Sequence, residues 1–383
     1  MAHNNTVFSQ LLKLVSRHEF EALAKQHHQG RKLRKMTRWS QFIALGLAQL
    51  SGRSSLRDIV SNLSAQKHKV YHLGATQVSR SSLSRVNEQQ PYELYEGLFN
   101  KLLSRCQGIA PKHGFRFKNK LYSLDASTID LCLSVFPWAD FRTTKGAIKL
   151  HVGLDHAGYL PSFVTISDGK THDITAGRSL QFPKGSIVVC DRGYTDYAWY
   201  NQLNSKGIYF VTRQKKNATY SVIERHTVSK KLGLTSDQTI KIKGTKAQDC
   251  PALLRRIGYK DPETGKQYYF LTNNFLLAAK TIADIYKSRW QIELFFKWIK
   301  QNLKIKAFIG TSKNAVLTQI WIAMCTYLLL AYIKFSNGID LSLQQMLRLL
   351  HLNLFARRDL LTLLRGDPPD KKNTVTQTEL AFS

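Results

Sequence analysis

Three acidic side chains and a short set of cations carry the chemistry this sequence could perform. Asp125 follows the apolar run "YSL", and Asp191 follows "IVVC" in "GSIVVCDRGY". Each reads as a carboxylate at the end of a short buried strand, and in α/β sheets ligand sites gather at the carboxyl ends of strands. The third, Glu293, lies in "YKSRWQIELFFKWIKQNLKI", residues 286–305, among Tyr286, Arg289 and Lys300. On a helix turning about 100° per residue these four fall within roughly 60° of one another. They sit beside the stripe of Ile285, Ile292, Phe296, Ile299 and Leu303 that predicts the buried face. Three carboxylates in one cleft repel unless a cation neutralises them. Hard oxygen donors suit Mg²⁺, with Mn²⁺ able to substitute. Two such ions about 3.5–4 Å apart activate the attacking oxygen and stabilise the leaving one in phosphodiester hydrolysis and transesterification. Arg289 and Lys300 could then grip phosphates of the strand being cut, and Tyr286 could donate to another. A plainer reading stays open. Glu293 with Lys297 is an i,i+4 ion pair, and a strand-end Asp is commonly a turn or helix cap. Asp155 and Asp168 read as such caps, and Asp173 as a charge at a helix start. His172 fits either a cleft-lining or a capping role.

The elements that must position these residues follow from hydrophobic periodicity. Residues 1–115 read as a helical, basic, DNA-binding region. "RKLRKMTRW", residues 31–39, packs five cations into nine positions. "SLRDIVSNL" and "QVSRSSLSRVNEQ" predict two helices around a turn, a helix-turn-helix-like reader whose second helix offers Arg80 and Arg85 to phosphates. Residues 116–213 predict strands at 120–125, 147–156 and 159–169 in an antiparallel meander. Helices at 171–180 and 196–207 and strands at 185–191 and 208–213 follow as parallel crossovers. Residues 214–276 predict a β-rich insertion, and from Lys206 to Lys266 there are 14 Lys and Arg against 5 Asp and Glu. Residues 277–365 predict the helix bearing Glu293, the remainder of the core and further helices, and 366–383 a disordered tail. The expected fold class is α/β: a mixed sheet flanked by helices, with a β-rich insertion before the last helix of the site and an α-helical N-terminal region.

The 383 residues carry 56 Lys and Arg against 26 Asp and Glu, a net +30, with 43% apolar residues. A globular chain so basic favours a polyanionic partner. A membrane partner is disfavoured, because the apolar run 320–333 is too short to span and the start, "MAHNNTVFSQ", lacks a signal-peptide core. The five cysteines are widely spaced, with no CxxC and no Cys/His cluster, which fits reduced thiols in a cytoplasmic protein.

The blocks together resemble the DDE transposases of bacterial insertion sequences, in the group named for insertion sequence four. That group's signature is Tyr, two residues, Arg, three residues, Glu, six residues, Lys, and Tyr286, Arg289, Glu293 and Lys300 match it without a gap. "DAST" at Asp125 and "DRGYTD" at Asp191 resemble its first and second catalytic blocks. "KLHVGLD", "DGKTHD" and "FVTRQKKN" resemble its intervening strands and its passage into the β insertion. The likeness covers about residues 118–335. It implies a ribonuclease-H-like core and catalysis by Asp125, Asp191 and Glu293 holding Mg²⁺ or Mn²⁺. It also implies cut-and-paste movement of the encoding element, binding of terminal inverted repeats in double-stranded DNA, and a homodimeric synaptic complex. Arg192, Arg213, Lys215 and Lys216 are further candidates for DNA contacts. The resemblance also implies a hairpin intermediate. Some relatives stack a tryptophan of the insertion on a flipped base, but no Trp lies between Gly207 and Phe275. Tyr259, Tyr268 or Tyr269 could serve instead. The competing readings are a metal-dependent nuclease without strand transfer and a non-catalytic DNA-binding derivative.

Overall fold

The structure, a computed structural model, describes residues 6–142 and 145–366, so the expected tail lies outside the described residues beyond Gly366. The chain opens with helices α1 (Val7–Leu12), α2 (Arg17–Gln26), α3 (Arg38–Ser51), α4 (Leu56–Ala65), α5 (Lys67–Val70), α6 (Arg80–Gln89) and α7 (Glu93–Ile109). Strands β1 (Leu121–Leu131), β2 (Asp140–Arg142), β3 (Lys145–Asp155) and β4 (Leu160–Asp168) follow, then α8 (Asp173–Ser179), β5 (Ile187–Cys190), α9 (Tyr197–Ser205) and β6 (Tyr209–Arg213). Next come β7 (Tyr220–His226), β8 (Leu234–Ile242), β9 (Leu254–Lys260) and β10 (Gln267–Thr272). The chain closes with α10 (Ala279–Ser288), α11 (Trp290–Asn302), α12 (Lys313–Ser336), α13 (Leu343–Asn353) and α14 (Leu360–Arg365). It forms two compact units. Of the described residues, one comprises 6–102, Asn302–Gly310 and 314–366, the other those within Leu103–Gln301 and Thr311–Lys313. The helices after Asn314, grouped with the catalytic core in the sequence reading, thus cluster with the N-terminal ones.

In the helical unit, Ser16, Thr37, Ser55, Ser79, Ser342 and Asp359 each cap a helix by accepting a backbone N–H with the side-chain oxygen, which satisfies donors the helix cannot. α3 is buried along its whole length and stops at Gly52, whose φ of 68° is left-handed, as helix ends favour. The expected two-helix turn is corrected. α4 and α6 are separated by α5 and a 3₁₀ turn, Tyr71–Leu73, rather than by a tight turn. α12 runs 24 residues, long and apolar enough to cross a membrane by length and composition, and 94% of its most apolar window is buried within the protein, which makes it a core helix. Flanking residues such as Ala315, Val316 and Leu317 extend the buried stretch beyond residues 320–333.

The second unit is built on one mixed sheet of order β2-β3-β1-β5-β6-β10-β9-β8-β7, with β4 also paired to β3. β1, β3 and β4 form the expected antiparallel meander, and β1, β5 and β6 run parallel. The β-rich insertion does not stand apart. β10 pairs antiparallel with β6, and β9, β8 and β7 continue outward. Alternate residues feed two cores, as the two-residue period of a strand requires. Val188, Cys190 and Phe210 join Trp199, Tyr200 and Leu203 of α9. Ile187, Val189 and Val211 join Ile282, Ala283 and Ile285 of α10.

The predicted single helix over 286–305 is interrupted at Arg289. The Arg289 N–H donates to the Tyr286 carbonyl at 3.1 Å, and the Ile292 N–H donates to the Arg289 carbonyl at 3.1 Å. Both are i→i−3 bonds, a 3₁₀ tightening. The segment leading into α10 is tied to the sheet by the buried Arg255. Its Nε and Nη2 donate to Asp237 Oδ1 and Oδ2 at 2.9 and 2.7 Å, and its Nη1 donates to the carbonyls of Asn274 and Leu277 at 3.3 and 2.6 Å. Removing one partner of a buried ion pair strands the other charge. Arg255→Ala is therefore expected to destabilise the sheet unit by about 3–5 kcal/mol, read as a lowered urea midpoint. In the Arg255→Ala/Asp237→Ala double variant the loss should be smaller than the sum of the two singles. Additive losses would show that the pair is not coupled.

Candidate active site

Strand register brings the two aspartates together. In the parallel ladder of β1 and β5, Leu124 stands opposite Cys190, so the next residue on each strand is Asp125 on one and Asp191 on the other. The expectation that Asp125 ends its strand is corrected. β3 accompanies β1 onward, with Asp125 opposite Val152 and Leu131 opposite Gly146, so Asp125 lies mid-strand. What ends after residue 124 is pairing with β5. Parity then selects the face. Leu121, Ile187 and Val189 point toward α10, and so, two or four residues on, do Asp125 and Asp191.

Arg289, at the tightened junction of α10 and α11, faces them. Its Nη1 donates to Asp125 Oδ2 at 3.1 Å, and its Nη2 donates to Glu293 Oε1. The other Asp125 oxygen accepts the Ala126 N–H at 2.8 Å. Asp191 Oδ1 accepts the Gly193 N–H at 2.8 Å, and a Cβ on Gly193 would lie 2.9 Å from that oxygen. Burial pushes the Asp125 carboxyl from an ordinary 3.8 up to about 6. The Ala126 N–H and Arg289 oppose the rise, while the charges of Asp191 and Glu293 add to it. Asp125 therefore feels the charge of both other carboxylates. Among the described residues, no three His, Cys, Asp or Glu side chains converge as a ready-made metal site. The donors fit a hard divalent cation by chemistry, all being carboxylate oxygens in need of positive charge, and Arg289 supplies that charge between two of them.

Lys300, expected to grip phosphate, donates to the Thr128 carbonyl at 2.8 Å and so ties α11 to β1 three residues past Asp125. The Tyr286 ring packs 4.8 Å from Phe270. Arg213 lies over Tyr268 at 4.8 Å. Arg192 is exposed on the 3₁₀ turn Arg192–Tyr194, and Lys215 and Lys216 are exposed after β6. Arg80 and Arg85 are exposed on α6, in the helical unit. His172 is exposed and starts α8 without a side-chain cap. The three candidate stacking tyrosines each meet a cation: Tyr259 meets Lys280, Tyr268 meets Arg213, and Tyr269 meets Arg256 at 3.9 Å. A cavity of about 710 Å³ beside Arg289 is lined by Arg213, Tyr268, Phe270, Tyr286 and Trp290, among others. Trp290 is 57% exposed. Trp290 lies outside the insertion, where a stacking tryptophan is expected, and its position directly after Arg289 is the signal that marks it.

The raised Asp125 pKa makes a stability prediction. A carboxyl with a folded-state pKa above its unfolded value costs nothing while protonated in both states. The penalty grows as pH climbs from about 4 to about 6 and is constant above that. Asp125→Asn lacks this titration. At pH 8 the variant should be more stable than the parent by up to roughly 3 kcal/mol, with little difference at pH 4. A melting-temperature difference that does not change with pH would contradict the assigned burial.

Residues 116–329 match the family described as Transposase DDE domain, and residues 3–76 match the one described as Domain of unknown function (DUF4372). The chain is 30% identical over 290 residues to the protein named transposase y4zB of Sinorhizobium fredii, covering 75% of this chain and 80% of that one. It is 29% identical over 260 residues to the protein named as transposase for insertion sequence element IS5377 of Geobacillus stearothermophilus, covering 66% and 67%. To the one named for element IS4SA of Synechocystis it is 24% identical over 301 residues, covering 75% and 79%. The piggyBac transposase synaptic complex with hairpin DNA covers 94% of this chain and 80% of its own, at 10% identity and a TM-score of 0.45, a likeness too low to argue from. With the family profile spanning more than half of the sequence and a relative at 30% identity over three quarters of it, the chain belongs to the family of transposases that carry the DDE domain.

Proposed function

We propose that the protein binds the terminal inverted repeats of its own insertion sequence as a homodimer, cuts the DNA there and transfers the freed ends to a target. The observation that carries this reading is the placement of Asp125 and Asp191 on one face of paired parallel strands, opposite Arg289 and Glu293. Asp125, Asp191 and Glu293 would hold Mg²⁺ or Mn²⁺, which supplies activation of the attacking oxygen and stabilisation of the leaving one. The chain's own residues do the rest. The rigid β1–β5 ladder fixes two carboxylates. Arg289 balances their charge and, being a planar fork of donors, can also engage a phosphate. Lys300 holds α11, and with it Glu293, to β1. The aromatic cavity beside Arg289, with Trp290 at its rim, suits an unpaired base stacked out of the duplex. That feature supports a hairpin route.

Linear DNA bearing the element ends, incubated with the protein and Mg²⁺, tests the proposal. Joined products support it, nicks without joining favour a nuclease, and a mobility shift without cleavage points to a binding protein. Asp125→Asn, Asp191→Asn and Glu293→Gln should each lower cleavage by about a thousandfold or more while keeping end binding. Gly193→Ala should also depress cleavage, because its methyl displaces the Asp191 carboxylate, with little change in melting temperature. Full cleavage by any of the three carboxylate variants would sink the site assignment.

A further inference from the structure

The helical unit carries a second cationic surface that the site above does not use. It lies where the segment matching the domain of unknown function meets α6. α6 buries Leu83, Val86 and Asn87 and turns Arg80, Ser81, Ser84, Arg85, Glu88 and Gln89 to solvent. These exposed positions cover about half of the helix circumference, and none is apolar. Alongside runs the connection between α2 and α3, with Arg31, Lys32, Arg34 and Lys35 exposed.

That connection is held in place. The Gln90 amide nitrogen donates to the Gln29 carbonyl at 2.7 Å, and Thr76 Oγ1 donates to the Lys35 carbonyl at 2.5 Å. The buried Arg38 donates to the Pro91 carbonyl at 2.7 Å, just past the end of α6. Between loop and helix lies a groove of about 650 Å³ whose lining includes Arg31, Lys32, Arg34, Lys35 and Arg85 and no carboxylate. Like charges held side by side repel, and a polyanion laid along the groove relieves that repulsion.

We propose that this face is a duplex-DNA contact surface, with α6 in the major groove and the loop 31–35 on the adjoining phosphate backbone. The inference rests on the function proposed above for its partner class and adds which surface reads the ends. A single α-helix fits the major groove, where Arg reads guanine and Gln reads adenine through paired hydrogen bonds, and α6 presents Arg80, Arg85 and Gln89. The loop cations carry no base information and position the duplex through phosphates. An anionic membrane would call for exposed apolar side chains beside the cations; the exposed face of α6 has none, and of the apolar residues lining the groove Met36 and Val86 are buried and Leu33 is half-buried.

Fluorescence anisotropy of the full chain on two 30-base-pair duplexes, one from the element terminus and one a scramble of it, tests this between 50 and 200 mM salt. Replacing Arg31, Lys32, Arg34 and Lys35 together by Ala should weaken both duplexes alike and make the log–log salt slope shallower by about 3 to 4. Arg85→Ala/Gln89→Ala should cut the preference for the terminal duplex by about 10- to 100-fold. Because all six side chains are exposed, melting temperatures should hold. Slope and preference both unchanged, while the parent binds and cuts DNA, would overturn this surface and leave the proposed function standing. A parent that binds neither duplex would sink both. Loss of binding to phosphatidylglycerol vesicles in the loop variant, with DNA binding intact, would assign the surface to a membrane instead.

Discussion

Negative charge placed on the inner face of a sheet must be balanced, and much of the sheet unit serves that requirement. Asp125 is buried enough for its carboxyl to be pushed up to about 6, and Asp191 and Glu293 both add to the rise. Nothing in the apolar cores above and below can offset this. Arg289 can, because the 3₁₀ tightening at the α10–α11 junction leaves its guanidinium within reach of Asp125 on the sheet and Glu293 on the next turn. A fork of donors can bridge two carboxylates and still remain a cation. The arrangement is costly to stability and useful to chemistry, as carboxylate sites commonly are.

Rigidity elsewhere protects this balance. The β-rich insertion extends the main sheet through β10, which pairs with β6, so it shares one hydrogen-bonded ladder with the strands that carry Asp125 and Asp191. Arg255 then binds β8 to the chain that leads into α10, and Lys300 binds α11 back to β1. Glu293 is thus fixed from both ends of its helical segment. The buried pair of Ser123 and His156, 2.7 Å apart, lies two residues before Asp125. Burial there pushes the imidazole down to about 4, which favours the neutral ring.

The helical unit answers a different need. Arg31, Lys32, Arg34, Lys35, Arg80 and Arg85 are exposed there, whereas in the sheet unit Asp125 and Arg289 are drawn into partial burial by their pairing. Exposed cations are open to solvent screening, and a partly buried pair is screened much less.

Much of this was legible in the residues. Apolar runs bounded by Gly and Asp gave the strands, and the spacing of Tyr286, Arg289, Glu293 and Lys300 placed them on one side of a helical segment, because periodicity is local. Parity along β1 and β5 was implicit in the sequence as well. Tertiary structure decided the rest. Whether Asp125 ends a strand depends on where β5 stops and β3 continues, which no local pattern encodes. That Arg289 bridges two carboxylates, that Lys300 meets a backbone carbonyl, and that the insertion joins the main sheet are all pairings between residues far apart in the chain. Trp290 lines a cavity together with Tyr268 and Phe270 of β10, a placement no local pattern encodes. Sequence determines which side chains can do chemistry and how adjacent ones are phased; only the folded sheet sets which distant charges must share a space.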